Sequence, residues 1–95
     1  MPGSFNILAA LAEVSSKSAE EIEAETAYKW ASRAVAYYWL WRRRGDLNYR
    51  LRAESARHEA GEHAAGADRS GAELRKIEDE LDAYFAAIDA GAEIE

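Results

Sequence analysis

The sequence predicts an all-α protein, and three observations carry that prediction. Alanine makes up 21 of the 95 residues, β-branched residues are few, and the single proline stands at position 2. Such a composition favours helix almost throughout. Small and apolar residues recur at three- and four-residue spacing, the period of one helix face. Serine, aspartate and glycine stand where helices would start and stop. The expected architecture is an antiparallel helical hairpin over 19–44 and 47–65, with a short N-terminal helix and a C-terminal amphipathic helix, all in one domain.

Ser4 can cap a short first helix over 5–14, in which Phe5, Leu8 and Ala12 share a face. Such a piece is too short to stand alone and has to pack on something. Ser18 followed by Glu21 fits a capping box and opens the helix 19–44. Its acidic first turn and its Arg42-Arg43-Arg44 end both suit the helix dipole. Gly45 can take the left-handed conformation that ends a helix, and Asp46 can cap the next. The rival is one continuous helix, because an interior glycine costs only about 1 kcal/mol.

A pairing pattern favours the hairpin. Ala24, Ala27, Ala31, Ala34, Tyr38 and Trp41 form one row, and Tyr49, Ala53, Ala56, Ala60, Ala64 and Ala67 form another. Folding at Gly45 pairs positions whose numbers add up to about 90, setting Ala34 against Ala56, Ala31 against Ala60, Ala27 against Ala64 and Trp41 against Tyr49. Two alanine rows permit close helix approach. The helix 47–65 weakens at Gly61 and Gly66, and Ala67-Asp68-Arg69 reads as a loop. Ser70 and Glu73 form a second capping box. The last helix, 71–90, carries Leu74, Ile77, Leu81, Tyr84 and Ile88 on one stripe, with Phe85 beside them. Gly91 is its expected stop.

Charge and composition exclude several classes. The net charge of −6 argues against general nucleic-acid binding. Charge is uneven, however: residues 42–57 hold six arginines against Asp46 and Glu54, while both flanks are acidic. The N-terminal apolar run has no basic residue before it and is too short for a signal peptide or a span. A soluble, cytoplasmic protein without a membrane partner is expected. With no cysteine, no disulfide supplements the modest core that so short a chain can bury.

The stretch Ala27–Arg44 holds all three tryptophans and three of the five tyrosines. On a helical wheel Trp30 and Tyr37 flank the alanine row on one side, and Tyr28, Val35 and Trp39 flank it on the other. The combined arc, roughly 200°, is wider than a surface helix needs. Trp30, Tyr37, Trp39 and Trp41, with Arg42, Arg43 and Arg44, are therefore the candidate interaction residues. Either a second subunit completes the bundle, giving a dimer or higher homo-oligomer, or a larger protein partner covers the surplus.

One constellation could carry metal chemistry. Glu54, His58 and Glu62 recur at four-residue intervals along one helix side, and Glu and His projecting into a bundle are di-iron carboxylate ligands. The structural alternative is an exposed ladder with Arg50 and Arg57 nearby. Over eight residues, HEAGEHAA at 58–65 resembles ferritin-like helices, including the short two-helix ferritins that assemble into rings. That resemblance implies a divalent-metal-binding oligomer of ferroxidase type. The usual Glu-x-x-His pair is missing, because Ala60 and Ser55 stand three residues before His63 and His58. No other cofactor is expected, and no nucleophile or phosphate-cradling loop is present, so the chain does not read as an enzyme. The main expectation is a non-catalytic helical assembly or interaction protein. The alternatives are the metal-binding oligomer and an inhibitor or accessory factor, of the kind phages and mobile elements encode, that docks on a larger host protein.

Overall fold

The computed structural model describes residues 17–91. The helix expected over 5–14 lies outside the described residues. These residues form three α-helices and no strand: α1 (Ala19–Arg44), α2 (Leu47–Ala67) and α3 (Ala72–Asp89).

The sequence sets the ends of α1 by side-chain and backbone chemistry. Ser18 is extended, and its Oγ accepts a hydrogen bond from the Glu21 N–H at 3.1 Å, satisfying one orphan amide. At the other end Gly45 adopts φ 71°, and its N–H donates to the Trp41 carbonyl at 2.7 Å. A side chain there would meet open space, so the backbone angle alone calls for glycine. Asp46 then caps α2 by accepting from the Asn48 N–H at 2.9 Å. α1 and α2 run antiparallel: Tyr37 meets Tyr49 near this link, and Glu23 meets His63 at the far end.

The second turn departs from expectation. α2 continues to Ala67, and the Ser70–Glu73 capping box does not form, because α3 starts after Gly71 with φ 81° and no side-chain cap. Asp68 takes over. Its Oδ1 accepts from both the N–H and the hydroxyl of Ser70, at 2.9 and 2.7 Å, and the Ser70 Oγ in turn accepts from the Ala72 N–H at 3.3 Å. The charge-assisted bonds to Asp68 hold Ser70 within the turn, and Gly71 stands at the cap.

Packing is built on alanine. Ala27, Ala34, Ala56, Ala60 and Ala64 form one buried cluster with Ile77 and Leu81 of α3. Among the described residues, Ile77 and Leu81 are the largest side chains that are fully buried. Each is worth roughly 1.5–3 kcal/mol, against about 0.8 kcal/mol for a buried methyl. The core is therefore thin, and it works by close approach more than by buried area.

α3 is fastened to α1 and α2 by polar and aromatic contacts. Tyr38 stacks on Phe85, with centroids 4.1 Å apart and rings within 7° of parallel, and its hydroxyl donates to Asp89 Oδ1 at 2.7 Å. Burial, then the hydrogen bond to Asp89, pushes the Tyr38 phenol above its ordinary pKa. Arg57 pairs with Asp82 at 2.6 Å and lies over Phe85. Tyr38 thus turns to α3 instead of α2. Trp41 does not pair with Tyr49 either: it packs edge-on against Tyr38, under Arg50, which leaves Tyr49 to stack on Tyr37.

Candidate functional site

Arginine and aromatic residues converge where α1 ends and α2 begins. Arg43 lies 4.8 Å from the Trp39 ring centre, and Arg50 lies 5.0 Å from that of Trp41. Arg42 approaches Trp41 at 5.5 Å, Arg52 approaches Tyr37 at 5.9 Å and Arg44 approaches Tyr49 at 6.0 Å. Each such contact is worth about 0.5–1 kcal/mol at an exposed site. Helix periodicity explains the pattern, since Trp39 and Arg43 are one turn apart, while Tyr37 and Arg52 meet across the α1–α2 seam.

These cations differ in what else they touch. Arg42 also pairs with Asp89 at 3.2 Å, and Arg50 with Glu54 at 3.4 Å. Among the described residues, Arg44 and Arg52 meet a ring but no carboxylate. Leu47 and Leu51, in the first turns of α2, are 58% and 53% exposed. Trp30, Tyr37, Trp39 and Trp41 are all half-buried. Trp30 and Tyr37 also pack against the edge of the alanine cluster, so part of their area serves the fold.

Glu54, His58 and Glu62 form an exposed row on α2. Glu54 faces Arg50, and His58 Nε2 lies 3.5 Å from Glu62. An open groove of about 450 Å³ runs beside them toward Leu74 and Glu78 of α3. Among the described residues, no three His, Cys, Asp or Glu side chains are gathered so as to hold a metal ion.

A different histidine is drawn into a cross-helix contact that the sequence reading missed. His63 Nδ1 lies 2.7 Å from Glu23 Oε2, and its Nε2 lies 3.9 Å from Glu59. The two carboxylates flank opposite edges of the ring, so the three groups do not converge on one ion. Gly66 leaves room beside the Glu23 carboxylate: a Cβ there would sit a tight 3.2 Å from Glu23 Oε2. The signal was present, since positions 23 and 66 add up to 89, close to the sum that pairs the alanines.

Two surface carboxylates are held below the usual range. Hydrogen bonds from Ser70 depress Asp68, and the Lys17 ammonium depresses Glu25 from 3.0 Å away. Among the described residues, no helix is long and apolar enough to cross a membrane. No protein-family model, curated protein or solved structure matches the chain.

Proposed function

We propose that this chain is a non-catalytic docking protein whose α1–α2 hairpin presents its basic, aromatic tip to an acidic surface on a larger protein. One observation carries the reading. Among the described residues Arg44 and Arg52 lie over rings and meet no carboxylate, and Leu47 and Leu51, in the first turns of α2, are exposed. Arginine and aromatic side chains supply most hot-spot energy at protein interfaces, and guanidinium groups already seated on rings lose less freedom on binding. The net charge of −6 and the acidic flanks favour a protein surface over the extended phosphate array of a nucleic acid. An inhibitor or accessory factor acting on a larger host protein is one form of this activity. No observation favours the ferritin-like metal reading over it.

The test is affinity capture from source-cell extract with three baits: wild type, Arg43→Glu/Arg44→Glu, and Leu47→Ser/Leu51→Ser. The expected result is a partner retained by wild type and lost by both variants, with retention falling as salt rises. Recovery of the same partner in equal yield by all three baits overturns the proposal.

A further inference from the structure

The α1–α2 pair has two broad faces, and α3 lies on only one of them. Its contacts run to Tyr28, Tyr38, Arg42, Arg57 and Gly61. The opposite face carries Glu23, Trp30 and Tyr37 from α1, and Arg52, Glu59 and His63 from α2. Among the described residues, the hydrogen bonds, ion pairs and ring contacts of these six stay within α1 and α2.

The layout of this face is ordered. Glu23, Trp30, Tyr37 and Arg44 are spaced by sevens, so they form one row with about 10.5 Å between neighbours. Trp30 stands close to the midpoint of α1 (Ala19–Arg44). Toward the Gly45 link the face is cationic and aromatic, with Tyr37, Arg44 and Arg52. Toward the other end it is anionic, where the Glu23 and Glu59 carboxylates flank His63 at 2.7 and 3.9 Å. The sign of the charge therefore reverses about an aromatic centre, a pattern complementary to itself when turned end for end.

We infer that this face seats a second copy of the same chain, packed antiparallel about a two-fold axis at Trp30. In that arrangement Trp30 meets its counterpart, and Glu23 of one copy falls opposite Tyr37 of the other. Arg52, which lies over Tyr37, is thereby brought to the Glu23 carboxylate of the mate. Every contact away from the axis is made twice, as an isologous interface requires. Parallel packing about the same centre sets Arg52 near Arg52 and Glu23 near Glu23, and like charges so juxtaposed are disfavoured. The pairing also covers Trp30 and Tyr37, which are half-buried in one copy. Arg44 and Arg52 enter both readings, whereas Leu47 and Leu51 belong to tip docking alone, so Leu47→Ser/Leu51→Ser is expected to lose the docking partner and keep the dimer mass.

The test is light scattering coupled to size exclusion, with purified protein and no other partner present. At about 100 µM, far above a micromolar Kd, wild type is expected near twice the chain mass of 10.6 kDa. Two charge reversals then probe the face. Arg44→Glu/Arg52→Glu makes both ends acidic, and Glu23→Arg makes both basic, so each is expected to halve the mass. Mixing the two variants restores complementarity at both contact zones and is expected to return the dimer mass. Circular dichroism confirms folding, and Glu59→Arg replaces Glu23→Arg if loss of the His63 contact unfolds the latter. A wild-type monomer at this concentration overturns the inference, whatever else covers Trp30. So does a dimer that both variants keep, or a folded pair of variants that fails to reassociate on mixing.

Discussion

Replacing Ala60 with leucine should break the seam on which the fold depends. Ala60 has no exposed surface and lies in one cluster with Ala27, Ala34, Ala56, Ala64, Ile77 and Leu81. Leucine brings three further carbons to a place where neighbouring atoms already touch. Overpacking of this kind costs about 1–3 kcal/mol in a well-packed core. The cost belongs at the upper end here, because α1 can move away from α2 only by loosening its hold on Ile77 and Leu81. For a chain of this length each kcal/mol lowers Tm by about 4–8 °C, so a fall of roughly 10–20 °C is expected. Ala65→Leu is the control: same helix, same change, but an exposed position, where the effect stays within about 0.5 kcal/mol. Helix propensity nearly cancels between the two residues. Thermal unfolding followed by far-UV circular dichroism reads both variants. If Ala60→Leu melts within about 2 °C of Ala65→Leu, the close alanine seam is not what holds α1 to α2.

Gly61→Ala should raise Tm by about 4–8 °C, since a Cβ there would make an ordinary 3.5 Å contact with Leu74 while the helix gains about 1 kcal/mol of propensity; a lower Tm would show that α3 sits closer to α2 than described. The Asp68 turn predicts acid sensitivity. Its carboxyl is depressed in the folded state by Ser70, so the stability it lends is present above its unfolded pKa and is lost as pH falls through the folded one. Melting temperature should therefore drop below about pH 4, and Asp68→Asn should flatten that slope. Parallel acid profiles for the two proteins would refute the role given to Asp68.

Helix class was legible because composition and end signals agree: Ser18, Gly45 and Asp46 each offer one chemistry suited to their position. The turn before α3 was not legible. Asp68 and Ser70 are both competent caps two residues apart, yet Asp68 binds Ser70 and Gly71 takes the cap position. Tyr38 was assigned to the α1–α2 seam because spacing places it in the alanine row. A tyrosine ring reaches beyond its own row, however, and Phe85 lies far away in sequence. The Glu23–His63 contact was missed for a related reason. Pairing by backbone level ignores how far two long side chains extend, and it treats Gly66 as a weakness where it is the space the Glu23 carboxylate occupies. The candidate site divides in the same way. Clustering of arginine and tryptophan is visible in the chain, whereas which guanidinium also meets a carboxylate depends on where α3 lies.

The alanine seam also acts as a one-way filter on sequence drift. At Ala27, Ala34, Ala56, Ala60 and Ala64 a mutation that removes a methyl leaves a small gap, while one that adds bulk forces two helices apart. Over evolutionary time these positions should wander only toward glycine and serine, whereas Ile77 and Leu81, whose volume can be shared with neighbours, should exchange freely among aliphatic residues. A lineage that enlarged the seam would have to enlarge it on both helices at once, so the spacing between α1 and α2 would change in one step or not at all.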